Sequence, residues 1–219
     1  VDTLRLEMTN GARINSTTLA AGRGGDVTIT APNGVSITGE RTFDVPEEIF
    51  GLGGTRASGI YTRTAGSELC AGSCGDAGHV NITTGSFMLQ NGGVIDSGTT
   101  NNGLGGNVTI RATGQVLLSG TMADGTPGGI FSRTVGTAPD SGKGGDLILQ
   151  SPRFELTNGA SVSANSTGSG AAGSVTVEGA NSPAQSVLID GAGSGIFTDT
   201  QGTGAGGNIF LNANTVTLQ

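Results

Sequence analysis

Six positions in this chain carry a polar side chain directly after a pair of small residues, and these side chains are the ones whose types could do chemistry. Carboxylates and an imidazole can act as general acids and bases or bind a metal ion, provided that several of them converge on one site. The six positions are Asp26, His79, Asn107, Asp146, Ser174 and Asn208.

A short alternating strand follows each of these positions and determines which way the polar residue points. In residues 107–110, aliphatic and polar residues alternate, so Val108 and Ile110 face one side and Asn107 and Thr109 face the other. The same phase recurs in all six copies, which is typical of a repeat architecture. We therefore expect one inward column that contains Val27, Val80, Val108, Leu147, Val175 and Ile209.

Two further short strands accompany each copy of this motif. The first has aliphatic residues two positions apart and ends at a polar residue and a glycine, such as Asn91-Gly92, which suits a bend with positive φ at the glycine. The second, such as residues 130–132, begins with an aliphatic residue and has a small residue at its third position, and we expect both to point inward. The shortest repeat, from Leu6 to Val35, spans 29 residues.

Three short strands per repeat, stacked in phase, predict an all-β fold: a three-strand parallel solenoid of about six coils. Each strand would pair with its counterpart one coil away, about 4.8 Å along the axis. A sandwich of antiparallel hairpins does not explain why one three-strand phase recurs six times. Residues 1–219 are predicted to be a single β-helix segment of a longer protein, since the chain begins just before a first strand and ends within one.

The spacing of the carboxylates in the polar column argues against catalysis. Stacking would place Asp26 and Asp146 three strand spacings apart, roughly 14 Å, which is too far for two carboxylates that act on one bond. We therefore expect these polar residues to close the turn before each strand. We also expect no enzymatic activity, no cofactor and no bound metal ion.

The composition excludes some classes of protein. The chain has 42 glycines in 219 residues and a net charge of −7, with Lys143 as its single lysine, so there is no basic footprint for nucleic acid. No apolar run is long enough to span a bilayer, so we expect no stable membrane insertion. Regularly spaced aliphatic residues favour a folded repeat over disorder despite the glycine content.

A second outward column combines aromatic and basic residues in alternate repeats. Arg63 and Arg133 in this column could bind an anionic sugar, because guanidinium groups suit the recognition of anions. The alternative interpretation is ordinary solvated surface. The column consists of Tyr61, Arg63, Phe131, Arg133 and Phe197.

Several short sequences resemble the filamentous-haemagglutinin class of large exoproteins. They are Leu-Thr-Asn-Gly-Ala at 156–160 followed by Val-Ser-Ala at 162–164, Gly-Gly-Asn-Val-Thr-Ile at 105–110, and Gly-Ile-Phe-Ser or Gly-Ile-Phe-Thr at 129–132 and 195–198. The resemblance covers nearly the whole chain except residues 40–58 and 65–76. It implies a right-handed parallel β-helix, secretion by a two-partner system, and work as a surface adhesin or as the stalk of a delivered toxin.

From this resemblance we expect a secreted or cell-surface adhesin or stalk segment, located outside a bacterial cell or on its surface, with a structural and binding role. Its expected partners are a host-cell glycan or protein receptor and an outer-membrane transporter during secretion. The alternative function is that of a polysaccharide-binding or polysaccharide-cleaving β-helix enzyme of the pectate-lyase type, because other parallel β-helices are such enzymes.

The second repeat is much longer than the others and carries two predicted loop insertions, at residues 40–58 and 65–77. From Val35 to Phe87 it spans 52 residues. Loops on a rigid scaffold often carry recognition, and the first loop is a candidate binding loop. The alternative is that it covers an apolar patch on the rod. Its candidate residues are Phe43, Glu47, Glu48 and Phe50.

The second predicted loop contains the only two cysteines of the chain, Cys70 and Cys74. In an exported protein, a local disulfide between them is the ordinary interpretation. Free thiols and a metal site are the alternatives, although a metal site would need further ligands.

Overall fold

The computed structural model describes residues 1–43, 54–64, 75–100, 102–136 and 141–219, apart from the side chain of Phe43. Within these residues the protein is all-β and contains no helix, so none is present there that could cross a membrane. Most of the described strands belong to three long parallel sheets, which together form a solenoid-like fold.

Each long sheet collects equivalent strands from successive repeats. In the described residues the first sheet contains, in hydrogen-bonding order, β1 (Leu6–Thr9), β4 (Val35–Thr38), β9 (Phe87–Gln90), β13 (Gln115–Ser119), β17 (Arg153–Thr157), β20 (Ser186–Asp190) and β23 (Val216–Leu218). The second contains β2 (Arg13–Asn15), β7 (Gly59–Tyr61), β10 (Val94–Asp96), β14 (Gly129–Phe131), β18 (Ser161–Ser163) and β21 (Gly195–Phe197). The third contains β3 (Val27–Ala31), β8 (Val80–Thr84), β12 (Val108–Ala112), β16 (Leu147–Gln150), β19 (Val175–Glu178) and β22 (Ile209–Leu211).

Two short pairs complete the described strands. One is the parallel pair β11 (Thr99–Thr100) and β15 (Thr134–Val135). The other is the antiparallel pair β5 (Glu40–Phe43) and β6 (Gly54–Ala57).

Pairing between neighbouring coils joins equivalent residues. Val108, for example, pairs with Val80 on one side and with Leu147 on the other. The register of the third sheet confirms that the six residues of the predicted inward column stack on one another, from Val27 to Ile209. A shift of one residue in any of these strands would turn its aliphatic residues away from the core.

One apolar core runs along the inside of the three sheets. Its largest members are Phe87 and Phe154, which are fully buried. Burial of each such side chain contributes about 1.5–3 kcal/mol. Ile209 is the exception in the predicted column: it is 47% exposed, because its strand β22 is the outermost strand of the third sheet.

Buried hydroxyl groups tie the second sheet to the glycine pairs that open the third-sheet strands. Thr62 Oγ1 donates to the carbonyl oxygen of Gly78 at 2.8 Å, and Ser97 Oγ donates to the same oxygen. Ser132 Oγ donates to the carbonyl of Gly106 at 2.6 Å. A Cβ at Gly106 would lie 1.9 Å from the Gly78 oxygen, so this position requires glycine because the backbones approach so closely.

The bends after alternate first-sheet strands place both the asparagine and the glycine at positive φ. Such a pair of residues is typical of a tight turn in which asparagine tolerates the left-handed conformation better than most residues. The φ values are 55° and 76° at Asn10-Gly11, 50° and 81° at Asn91-Gly92, and 55° and 80° at Asn158-Gly159. The sequence predicted positive φ at the glycine, and the structure adds the asparagine.

The described part of the first predicted loop is the base of an antiparallel hairpin. Arg41 of β5 lies opposite Arg56 of β6. At the end of the hairpin, Ala57 packs in an apolar cluster with Tyr61 and Phe131 on the outside of the second sheet. This contact favours the alternative interpretation, in which the insertion covers an apolar patch.

The rest of both insertions lies outside the described residues. Residues 44–53 include Glu47, Glu48 and Phe50, so the candidate binding loop stays a prediction. Residues 65–74 include Cys70 and Cys74, and the disulfide between them also stays a prediction.

We predict that Phe154→Ala lowers the free energy of unfolding by about 3–5 kcal/mol, because it removes a fully buried ring from the core. Phe210→Ala is the matched control. Phe210 is 54% exposed, so the same substitution there should change stability by no more than about 0.5 kcal/mol. Urea unfolding followed by circular dichroism measures both, and equal losses would contradict the described core.

Candidate functional site

The outer face of the second sheet carries the predicted column of aromatic and basic residues. Tyr61 pairs with Asp96, and Asp96 pairs with Phe131. Phe131 then pairs with Ser163, which pairs with Phe197. The aromatic residues are therefore two strand spacings apart, roughly 9–10 Å, with a smaller side chain between each two.

The rings of Tyr61 and Phe197 fold back over a glycine two residues earlier in the same strand. A Cβ at Gly59 would lie 3.0 Å from the ring of Tyr61, and a Cβ at Gly195 would lie 2.5 Å from the ring of Phe197. Tyr61 and Phe131 are only 5% and 7% exposed, whereas Phe197 is 44% exposed. Phe197 is thus the ring of this column that is most available to a ligand.

Three arginines lie over these rings. The guanidinium carbons of Arg13 and Arg63 are 4.6 and 5.1 Å from the centre of the Tyr61 ring, and that of Arg133 is 4.5 Å from the centre of the Phe131 ring. At these distances the cation is attracted to the electron-rich face of the ring. The structure therefore brings the predicted residues together, and each of the three guanidinium groups lies over an aromatic ring.

Sequence reasoning missed Arg13, which belongs to the preceding coil. Its strand β2 pairs with β7, and Arg13 lies opposite Gly59, two residues before Tyr61. Alignment of the repeats on their isoleucines would have placed a long basic side chain beside an empty glycine position. That alignment is the signal that could have found it.

These residues line a groove of about 410 Å³, which we call the arginine–aromatic groove. The rest of its lining includes Val94 and Met122 on one side and Ser163 and Asn165 on the other. A smaller hollow of about 160 Å³ continues past Arg63 and Arg133, over Gly98.

The arginine–aromatic groove has an excess of positive charge on a chain whose net charge is −7. Three guanidinium groups face one carboxylate, that of Asp96, among the described lining residues. Asp96 Oδ2 is 3.4 Å from Arg63 Nη1, and its Oδ1 accepts a hydrogen bond of 2.9 Å from the Gly98 N–H. The Asp96 carboxylate is therefore already paired within the protein. Arg133, in contrast, forms no ion pair or hydrogen bond with the part of the chain that the structure describes.

Burial changes the protonation equilibria at one end of the groove. It raises the pKa of Tyr61, although the charges of Arg13 and Arg63 act in the opposite direction. Desolvation lowers the pKa of Arg13. The Tyr61 hydroxyl and Arg13 Nε both donate to the carbonyl oxygen of Ala57, at 3.2 and 3.3 Å. This shared acceptor holds the two side chains next to each other.

The polar column behind the glycine pairs forms a ladder of hydrogen bonds along the rod. Each side chain accepts a hydrogen bond from the backbone N–H of the equivalent residue in the next coil. The bonds are Asp26 Oδ1 to His79 N (2.7 Å), His79 Nδ1 to Asn107 N (2.9 Å), Asn107 Oδ1 to Asp146 N (2.9 Å), Asp146 Oδ1 to Ser174 N (2.8 Å) and Ser174 Oγ to Asn208 N (3.4 Å). These side chains join neighbouring coils. The sequence assigned them to closing the turn before each strand, and the hydrogen bonds between coils were not predicted.

The charged members of this ladder also pair locally. Arg23 Nη2 is 2.7 Å from Asp26 Oδ1, and Lys143 Nζ is 3.3 Å from Asp146 Oδ1. The hydrogen bond from Arg23, together with that from the His79 N–H, lowers the pKa of Asp26. Within the described ranges, no group of three or more histidine, cysteine, aspartate or glutamate side chains is placed to hold a metal ion.

Comparison with known proteins yields no family model, no curated protein and no solved structure that matches this chain. The resemblance to filamentous haemagglutinins therefore rests on the short motifs of the sequence. Function has to be argued from the geometry of the groove and of the rod that carries it.

We predict that Asp146→Ala lowers the free energy of unfolding by about 1 kcal/mol, because the Ser174 N–H loses its acceptor. Asp146→Asn is the control. It keeps an oxygen at this position, as Asn107 does one coil earlier, and loses only an exposed pair with Lys143 that contributes about 0–0.5 kcal/mol. If thermal unfolding shows equal losses for the two variants, the ion pair and not the ladder stabilises this turn.

We predict that Tyr61 ionises above its ordinary value of 10.0, because it is buried. Tyr61 is the only tyrosine, and the chain has no tryptophan, so the near-ultraviolet absorbance of the phenolate reports this residue alone. The unfolded chain ionises first. The contribution to stability is therefore complete below about pH 10 and is lost as the pH rises through the folded-state pKa. A midpoint at or below 10.0 would show that the ring is not buried, and Tyr61→Phe should abolish the signal.

Proposed function

We propose that this chain is a rod segment of an exported adhesin-type exoprotein, similar to the repeat region of filamentous haemagglutinins, which presents a binding surface outside a bacterial cell. The observation that carries this proposal is the stacking of equivalent residues along three parallel sheets, with a groove that runs across several coils on one face.

The construction of the rod supports a structural role. Each coil is bonded to the next by parallel pairing, by the hydroxyl groups of the second sheet and by the polar ladder, and one apolar core runs through the segment. In such an architecture, length grows by addition of equivalent units, each of which contacts only its neighbours. This suits a stalk that must carry a binding surface away from the cell.

We further propose that the chain follows a right-handed path through about six coils. The connection from β1 through β2 and β3 to β4 joins two parallel neighbours in one sheet. Crossovers between parallel strands are right-handed in nearly all proteins. The motif resemblance supports the same handedness.

The outer face of the second sheet supports a binding role. The arginine–aromatic groove concentrates cations and aromatic rings on one side of a rod that is otherwise acidic. The partners that we propose are a host-cell glycan or protein receptor at this surface and an outer-membrane transporter during secretion. Catalysis is not part of this proposal.

We predict that antibodies raised against the 219-residue chain label intact cells of the producing bacterium, and that protease treatment of intact cells removes the label. Inactivation of the partner transporter should leave the antigen inside the cell. Antibodies against a cytoplasmic protein provide the control, because they should label only lysed cells. Detection of the chain only after lysis would overturn the proposed location and the function that depends on it.

A further inference from the structure

The arginine–aromatic groove contains polar atoms that the protein itself leaves without partners. In the described part of the chain, Asn165 Oδ1 and Arg63 Nε are buried and take part in no hydrogen bond. Both residues line the groove. Buried polar groups are nearly always hydrogen-bonded, so a ligand that brings a donor to Asn165 and an acceptor to Arg63 would be favoured here.

Arg133 is placed to bind an anion. Its guanidinium group stacks on Phe131 at 4.5 Å and forms no ion pair or hydrogen bond with any residue that the structure describes. The contact with the ring restricts the guanidinium group, and its N–H groups have no partner among the described residues. A planar guanidinium edge matches the two oxygens of a carboxylate in a bidentate arrangement.

Arg63 and Arg133 lie in one column, with Gly98 between them. The threonine after each of these three residues pairs in register with its neighbour, which places the arginines two strand spacings apart, roughly 9–10 Å. Gly98 contributes no side chain between the two cations, and the smaller hollow over it is lined by both. A carboxylate in this hollow would lie between the positive charges of both guanidinium groups.

Phe197 provides an apolar surface further along the groove. It lies two strands beyond Phe131, with Ser163 and Asn165 on the coil between them. An aromatic face with hydroxyl and amide groups beside it suits a sugar ring, whose C–H face is apolar and whose edge carries hydroxyl groups. A sugar hydroxyl can supply the donor that Asn165 Oδ1 lacks.

We propose that the arginine–aromatic groove binds an acidic oligosaccharide, with a sugar carboxylate on Arg133 and Arg63 and a neighbouring sugar ring against Phe197 beside Asn165. The inference rests on the proposed function and names the class of ligand that the binding surface takes. The groove, about 410 Å³ in volume, falls within the range of sites for small ligands and accommodates a short part of a longer glycan that runs along the rod.

The position of the groove favours a glycan over an acidic peptide. A peptide that binds a sheet usually pairs its backbone with an exposed edge strand. Most of the lining of this groove lies on the face of the second sheet, where the strands are paired with one another. The β6 carbonyl of Ala57, at the margin of the groove, already accepts hydrogen bonds from Tyr61 and Arg13.

The test measures calorimetric binding of trimers of galacturonate, glucuronate and mannuronate to the 219-residue chain, with a neutral trisaccharide as the reference. At least one acidic trimer should bind, with an affinity that falls as salt is added, and the neutral sugar should not bind. Arg133→Ala should weaken binding by roughly tenfold or more, because it removes a charged hydrogen bond. Arg133→Lys should restore part of the affinity, since it keeps the charge but not the planar edge.

Arg153→Ala is the matched control, because Arg153 is an exposed arginine on β17 of the first sheet. It should leave the affinity unchanged. Binding of none of the acidic trimers would overturn the inference, as would an equal loss in Arg153→Ala and Arg133→Ala. Tighter binding of a glutamate peptide that displaces the trimer would assign the groove to an acidic protein segment instead.

The outcomes separate this inference from the proposed function. Surface labelling of cells without acidic-sugar binding would overturn the ligand and leave the proposed function in place. Sugar binding by a protein found only inside cells would support the ligand and overturn the proposed function. Shortening of the bound trimers during the assay would support the groove as their site and overturn a purely binding role.

Discussion

Parallel pairing of every strand with its equivalent one coil away is the constraint on which the rest of the structure depends. Because the coils are only about 4.8 Å apart, whatever one coil places at a position must fit directly above the same position in the next. Glycine is needed where backbones meet, as at Gly106 over Gly78. Polar residues are tolerated in a column because each can bond the backbone of its neighbour, as Asn107 does with Asp146.

The same constraint explains why the aromatic residues of the second sheet occur in alternate coils. The rings of Tyr61 and Phe197 fold over Gly59 and Gly195, and the residues paired with them in the adjacent coils are smaller, such as Asp96 and Ser163. Arginines then cover the rings, and the alternation yields a groove instead of a flat surface. The shape of the groove is thus a product of stacking with a two-coil period.

The sequence was sufficient to predict the three strands per repeat, their parallel stacking and the inward columns. Aliphatic and polar residues alternate in the same phase in every repeat, and few arrangements other than stacked parallel strands fit this pattern. The Asn-Gly dipeptide also carried the signal for positive φ at Asn91 together with Gly92, but the prediction was made for the glycine alone. Arg13 was missed because its partner Tyr61 is 48 positions away in the sequence. Among the described residues, the pair of β5 and β6 is the only pair of antiparallel strands. A single antiparallel bridge between Thr121 and Pro127 is its short counterpart in a later repeat, so the repeat pattern did not predict the hairpin.

The inside and the outside of this rod are under different physical requirements. An inward residue such as Ile110 must match two neighbours in size and polarity, whereas an outward residue such as Arg133 need only avoid a clash with the coils beside it. Outward residues can therefore differ from coil to coil at little cost to stability. On the second sheet, the outward residues form a pattern that stacking does not require: cations lie over rings, and the buried amide oxygen of Asn165 has no hydrogen-bond partner. Folding alone does not account for this pattern. The outer face of the second sheet is therefore the surface that we propose for function.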